Sequence, residues 1–321
     1  MKMDYYQKIS APLTIMEEEL RNVLCSETAH MQAINSYVLS SPGKRIRPAL
    51  FFLTLGLWDQ NPAQHLPVAL AIELVHTATL LHDDVVDAAA KRRGKASVNT
   101  VWGNQTAVLV GDYLFAKAFS LLTEYGSMPL VSEMAALVEA MAEGEIQQQA
   151  QRFNPGISRE DYLGRITKKT AKFFTVAACA GAMVSKADAK SVNALKNYGY
   201  HIGMAFQIID DLLDFCSNSE QIGKSVANDL QQGIITLPVL HVLTVSKNQK
   251  RLAECIVNQC IDESLIDDIN HEMVACKSAD YVRSLAKEYV IAAISQLSVL
   301  PDRSCRETLA EVARFIVERE C

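Results

Sequence analysis

Two acidic triplets set in apolar sequence constrain this 321-residue chain more than any other feature. Asp83, Asp84 and Asp87 lie in LLHDDVVDAAA, and Asp210, Asp211 and Asp214 lie in FQIIDDLLDF. Both read D-D-x-x-D, and more than a third of the chain separates them. On a helix, residues four apart share a face, so Asp83 stacks with Asp87 and Asp210 with Asp214. Carboxylates stacked in this way repel, and burial raises their pKa values. A solvated acidic face would not be bordered by Leu80, Leu81, Val85 and Val86, or by Ile208, Ile209, Leu212 and Leu213. The same pattern in the same setting twice predicts a cation at both. Two such triplets facing each other suggest a Mg²⁺ cage for a phosphorylated ligand, since Mg²⁺ is held by a few carboxylates together with phosphate oxygens.

The frame around the triplets is predicted to be all-α. Hydrophobic residues make up 49% of the chain, Gly and Pro number only 14 and 9, and hairpin dipeptides such as Asn-Gly are missing. Ala, Leu, Glu, Gln and Lys dominate long stretches, and these are helix formers. No low-complexity linker divides the sequence, so residues 1–321 are expected to form one domain of consecutive helices. Helices are expected over 4–25, 28–40, 46–57, 66–90, within GDYLFAKAFSLLTEY and LVSEMAALVEAMAEGEIQQQAQRF, and from Val192 to Asn218, with four more reaching Arg319. Pro42, Gly43 and Pro48 mark a break. Ser158 and Asp161 form a capping pair before YLGRITKKTAKFF.

Net charge is −6, which argues against general nucleic-acid binding. The cations are nevertheless grouped: Lys44, Arg45 and Arg47; Lys91, Arg92, Arg93 and Lys95; Lys168, Lys169 and Lys172. An acidic protein with tight basic groups suits a small anion. Arginine offers a planar fork to phosphate oxygens, so GKRIRP is a candidate diphosphate grip. KRRGK follows the first triplet closely, which suggests metals on the aspartate side and bare phosphate on the arginine side. His76, one to two turns before Asp83, is a candidate phosphate contact, whereas His82 is read as structural. Eight scattered cysteines without a C-x-x-C pair predict reduced thiols and a cytoplasmic protein rather than a zinc site. MKMDYYQKIS lacks the apolar stretch of a signal peptide, and no run of eighteen clean apolar residues suggests a membrane span.

Two other patterns compete. Gly223-Lys224-Ser225 imitates the end of a P-loop but lacks the preceding strand and the upstream glycine. Glu27-x-x-His30 and Glu73-x-x-His76 match the spacing of helical di-iron redox proteins. That alternative explains neither triplet.

GKRIRP, ELVHTATLLHDDVVD, KRRGKASVN, GDYLFAKAF, GEIQQQ, KKTAKFF, FQIIDDLLDF, GKSVANDLQQG and TLPVL follow one another along nearly the whole chain. With them the chain resembles the trans-isoprenyl diphosphate synthases, specifically the bacterial long-chain polyprenyl diphosphate synthases of the heptaprenyl and octaprenyl type. The resemblance implies an antiparallel helical bundle around a central cavity, a homodimer, and head-to-tail prenyl transfer from an allylic diphosphate to isopentenyl diphosphate. It implies Mg²⁺, about three ions per active site, on Asp83, Asp84, Asp87, Asp210, Asp211 and Asp214. Lys44, Arg47, His76 and Arg93 are then expected to hold isopentenyl diphosphate. Arg92, Lys169, Thr170, Gln207 and Lys224 are expected to hold the allylic diphosphate, with Asp83, Asp84, Asp87, Asp210 and Lys169 closest to the chemistry. One departure stands out: Ile234 replaces the lysine that many members carry after the glycine of D-L-x-x-G.

Product length follows from geometry. Short-chain members close the path of the growing chain with aromatic residues at the fourth and fifth positions before the first triplet. Here these are Thr79 and Ala78. A helical turn rises about 5.4 Å, comparable to one isoprene unit, so an open path predicts a long-chain product. The alternatives are a short-chain farnesyl or geranylgeranyl diphosphate synthase, and the catalytic subunit of a heteromeric synthase with a small regulatory partner. A class I terpene cyclase is disfavoured by DDLLD, and a non-catalytic subunit by the retention of both triplets. Membrane contact is expected to be peripheral at most, for product release.

Overall fold

The computed structural model describes residues 8–41, 43–216 and 227–319. Its helices are α1 (Ser10–Val23), α2 (Ala29–Leu39), α3 (Ile46–Leu55), α4 (Leu66–Val86), α5 (Val98–Trp102), α6 (Asn104–Tyr125), α7 (Met128–Ala150), α8 (Arg159–Ile166), α9 (Lys172–Val184) and α10 (Ala189–Cys216). They continue as α11 (Asn228–Gln231), α12 (Leu237–Val245), α13 (Gln249–Val257), α14 (Glu263–Ala275), α15 (Ser278–Gln296) and α16 (Ser304–Glu318). The all-α expectation is met among the described residues, with one addition. KRRGKA forms a minimal hairpin, β1 (Lys91–Arg92) against β2 (Lys95–Ala96). Its turn residues Arg93 and Gly94 both have positive φ, 51° and 79°, which is the backbone of a type I′ turn.

Two compact units are present. The first gathers residues up to Ala135 with Val176–Asn193 and Leu300–Leu309; the second gathers Ala136–Thr175, Ala194–Val299 and Ala310 onward. In the first unit, α4 is buried nearly all round, from Val68 to Leu81, as its uninterrupted apolar sequence requires. It packs most extensively on α6. Small residues allow the approach: Ala107, Gly111 and Ala118 lie on the buried stripe of α6, and a Cβ at Gly111 would meet the His82 ring at 2.2 Å. The same helix leaves Val108 and Leu109 exposed on its other side. α6 is also the one described helix long and apolar enough to cross a membrane by length and composition. In the second unit, α12 is the central element, packed on α13, α14 and α15, with Leu237, Val239 and Val242 almost fully buried.

Helix ends differ from the sequence reading where the chain turns without glycine. α4 stops at Val86, four residues early, because Ala88 takes φ 47° and the Asp87 and Ala89 N–H groups close back on Asp83 and Asp84 carbonyls. After Asn228 the chain divides more finely than four helices. Gln259 and Lys277, at φ 56° and 52°, break it in the left-handed region that usually signals glycine. The capping box is present as expected: Asp161 N–H donates to Ser158 Oγ at 3.0 Å, and Ser158 N–H to Asp161 Oδ2 at 3.0 Å.

Candidate active site

The first triplet sits at the C-terminal end of α4. Asp84 is buried, while Asp83 and Asp87 are half-buried. Arg92 donates from Nε to Asp84 Oδ1 at 2.8 Å and from Nη2 to the same oxygen. The hairpin thus folds back on the triplet, and Asn99 Nδ2 adds a bond to the Asp84 carbonyl at 3.2 Å.

The cations expected to hold isopentenyl diphosphate gather in the same unit. Arg47 opens α3, and its Nη1 lies 3.2 Å from His76 Nε2. Guanidinium groups only donate, so Nε2 accepts and the imidazole proton sits on Nδ1. Burial and the neighbouring Arg47 and Arg93 charges hold the His76 pKa well below the ordinary histidine value, which agrees with a neutral ring. Arg93 Nη1 donates to the Ser41 carbonyl at 2.7 Å and its guanidinium lies across Gly43, where a Cβ would be 2.5 Å from Nη2. Lys44, one residue on, is exposed. Burial lowers the Arg93 pKa slightly without discharging it. A cavity of about 70 Å³ adjoins this group, lined by Tyr37, Arg45, Leu81, Asp84, Arg92 and Arg93 among others. Glu73 and His76, the pair with di-iron spacing, are each engaged by an arginine instead: Glu73 by Arg45 and His76 by Arg47. Glu27 and His30 are exposed. His82 bonds the Val108 carbonyl at 3.0 Å and packs edge-on to Phe115.

Ala78 and Thr79 are buried on α4 just upstream, and Thr79 Oγ1 is turned to the His76 carbonyl at 2.8 Å.

The second triplet ends α10. Asp211 is buried and both its oxygens are taken: Tyr162 Oη donates to Oδ2 at 2.7 Å and Gln207 Nε2 to Oδ1 at 2.7 Å. Thr170 Oγ1 continues the chain to Gln207 Oε1 at 2.7 Å. Asp210 is exposed and receives Arg319 Nη2 at 2.9 Å. Asp214 Oδ2 accepts the Asp229 N–H at 3.2 Å. Lys169 and Thr170 come from a π-helical segment, Thr167–Ala171, the kind of bulge often found at functional sites. Lys169 Nζ pairs with Glu145 Oε2 at 2.5 Å. Ile234, the departure noted in the sequence, is a buried apolar residue. Lys224 lies outside the described residues.

The structure therefore joins Asp84 with Arg92, Arg47 with His76, and Thr170, Gln207 and Asp211 in one line. In each triplet the middle carboxylate is buried and bonded, and the outer ones are more open. Four participants were not singled out from sequence: Tyr162, Arg319, Asp229 and Glu145. Asp229 stood in a recognised motif, D-L-x-x-G. Glu145 likewise stood in GEIQQQ. Nothing local marked Tyr162 or Arg319, whose partners lie far along the chain.

The donor set suits a divalent cation. Burial, then the Asp210 charge, raises the Asp211 pKa; burial, then Asp211 and Asp214, raises that of Asp229. Such a surplus of negative charge calls for a cation. Among the described residues no group of three or more His, Cys, Asp or Glu side chains is placed to hold a metal ion by itself.

A helical frame carrying two carboxylate triplets, each beside its own cations, is that of an enzyme handling a polyanionic substrate. The polyprenyl synthetase family model matches residues 28–273. The octaprenyl diphosphate synthase of Escherichia coli K12 is 38% identical over 298 residues, covering 92% of each chain. Heptaprenyl diphosphate synthase component 2 of Bacillus subtilis is 33% identical over 319 residues, 98% of this chain and 90% of that one. The crystal structure of a polyprenyl synthase from Caulobacter crescentus, complexed with calcium and isoprenyl diphosphate, superposes with a TM-score of 0.93 at 32% identity, covering 99% and 97% of the two chains. The chain belongs to the polyprenyl synthetase family and is a prenyltransferase with the all-α isoprenoid synthase fold.

Proposed function

We propose that the chain condenses an allylic diphosphate with successive isopentenyl diphosphates to give a long-chain trans-polyprenyl diphosphate. The observation that carries this is the join in the first unit: Arg92 bonded to Asp84 and Arg47 bonded to His76 put phosphate-binding cations beside a carboxylate triplet. Asp83, Asp87, Asp210 and Asp214 are the groups to hold Mg²⁺, while Asp84 and Asp211 brace their triplets through Arg92, Tyr162 and Gln207. When bound, the metal draws charge from the departing diphosphate, a Lewis-acid role. Lys169, Thr170 and Gln207 in the second unit are candidates to hold the allylic diphosphate, as Arg92 is in the first; Lys224, the other candidate, lies outside the described residues. Lys44, Arg47, Arg93 and neutral His76 hold isopentenyl diphosphate so that its double bond is aligned for attack. The released diphosphate serves as the final base, so no side-chain base is required.

Long-chain products are supported by Ala78 and Thr79, and by kinship with an octaprenyl and a heptaprenyl synthase. The exposed apolar side of α6, Val108 and Leu109, suits a second copy of the chain, making a homodimer. The name of the Bacillus subtilis relative, a component 2, supports a second possibility, a small partner subunit. One assay tests the reaction and the need for a partner: the purified chain alone with farnesyl diphosphate, labelled isopentenyl diphosphate and Mg²⁺, followed by product sizing; sedimentation of the same sample tests the homodimer. Elongation to a long chain is expected. Activity only after a partner is added would make the chain one subunit of a heteromer, and no elongation under either condition would sink the proposal.

A further inference from the structure

The middle cation of GKRIRP is built differently from its neighbours. Arg45 precedes α3 with φ 49° and ψ 33°, in the left-handed region. For a residue with a Cβ this costs about 1–2 kcal/mol and must be held by surrounding contacts. The hold is a pair of carboxylates. Arg45 donates from Nε to Glu17 Oε1 at 2.5 Å, from Nη2 to Glu17 Oε2 at 3.1 Å, and from Nη1 to Glu73 Oε1. The Arg45 side chain is 9% exposed and that of Glu73 only 2%. Arg45 is therefore turned inward and fully engaged, unlike exposed Lys44.

Glu73 explains why. It lies on α4 one turn before His76; burial pushes its pKa up, and Arg45, with Arg47 and Arg93, opposes that rise. Its Oε2 is buried without a hydrogen-bond partner. A buried carboxylate demands a cation, and leaving it unpaired is strongly unfavourable. If Arg45 did not supply that cation, Arg47 or Arg93 would be drawn in, away from His76 and Ser41.

We infer that Arg45 is a positioning residue that neutralises Glu73 and so keeps Arg47 and Arg93 presented to isopentenyl diphosphate. This rests on the proposal that Lys44, Arg47, His76 and Arg93 hold that substrate. The Arg45 guanidinium is bonded to Glu17 and Glu73. The left-handed backbone of Arg45 sets the turn between Lys44 and the helix that bears Arg47.

The test is kinetic, on the full chain. Arg45→Met should raise the KM for isopentenyl diphosphate on the order of 10- to 100-fold, the loss expected when a charge-assisted hydrogen bond is diverted, while the KM for farnesyl diphosphate stays put. Adding Glu73→Gln to Arg45→Met removes the carboxylate that captures Arg47. The double variant should recover most of the isopentenyl diphosphate affinity while remaining less heat-stable than wild type. A merely structural role would leave the double variant no better than the single one, or would move both KM values together, and either result overturns the inference. Where Arg45→Met is too unstable to assay, Arg45→Gln with and without Glu73→Gln carries the same comparison, since glutamine likewise removes the cation. Lys44→Ala and Arg47→Ala separate the two levels. If they leave the isopentenyl diphosphate KM unchanged, the grip itself is wrong; if they raise it and the Arg45 series does not behave as stated, only the positioning role falls.

Discussion

Tyr162 Oη donates to Asp211 Oδ2 at 2.7 Å, and the bond ties the start of one helix to the middle carboxylate of the second triplet. Both partners are buried, so the hydrogen bond is protected from water. Tyr162→Phe keeps the ring and removes only this donor. Asp211 then holds a single partner, Gln207, and is free to tilt. A hydrogen bond to a charged group contributes roughly 1.5–3 kcal/mol, so kcat should fall about 10- to 100-fold. The KM for isopentenyl diphosphate should not change, because its expected ligands lie just before and on α3, on α4 and in the hairpin. Steady-state kinetics at saturating Mg²⁺ checks the split. A variant with wild-type kcat would show that Asp211 needs no brace.

Product length should respond to Ala78. Its side chain is fully buried on α4, five residues before Asp83. If the growing chain passes this point, Ala78→Phe blocks it, and the product distribution shifts to shorter polyprenyl diphosphates. If no path exists there, the ring has nowhere to go and overpacking costs about 1–3 kcal/mol. Thin-layer sizing of dephosphorylated products together with a thermal melt distinguishes the two. Full-length product from a destabilised variant would move the tunnel elsewhere.

His76 gives a pH dependence with a definite sign. Its ring stays neutral when folded, because burial and the arginines disfavour its protonation. In the unfolded chain the same histidine takes a proton below about pH 6.5. The unfolded state therefore binds more protons as pH falls below about 6.5, and stability is lost in that direction. The contribution is at most about 1.4 kcal/mol per pH unit from this one residue. His76→Gln removes it. The fall in melting temperature between pH 7 and pH 5 should be smaller for this variant than for wild type. An equal fall in both proteins would place the acid sensitivity on other groups.

The sequence made the two triplets, the capping box and most helices legible, because each rests on local spacing. Asp83 and Asp87 are four apart on one helix, and Ser158 and Asp161 three apart at another's start. Long-range partners left no such trace. Arg319 reaches Asp210 across 109 positions and Tyr162 reaches Asp211 across 49, so neither could be seen from its neighbours. The hairpin was missed because Arg93-Gly94 lacks the Asn or Asp that usually marks a type I′ turn. The breaks at Gln259 and Lys277 were missed for the same reason: the backbone adopts a left-handed conformation at residues that do not advertise it.

Two glycines near the basic group should respond oppositely to alanine. Gly43 is small because Arg93 lies across it, with Nη1 and Nη2 at 2.8 Å and 2.5 Å from where a Cβ would stand. The obstacle is the far end of a flexible side chain, so Gly43→Ala should fold normally and simply push the guanidinium aside, breaking its bond to the Ser41 carbonyl. The KM for isopentenyl diphosphate should rise about 10-fold, the lower end for a lost charge-assisted contact, with the melting temperature nearly unchanged. Gly94 has open space around its absent Cβ but φ of +79°. Alanine there strains the I′ turn by about 1–2 kcal/mol, which should lower the melting temperature while Arg93 keeps its place and the KM holds. Kinetics and melts on the two variants should therefore separate cleanly. If Gly43→Ala left the KM unchanged, Arg93 would have no part in holding the substrate.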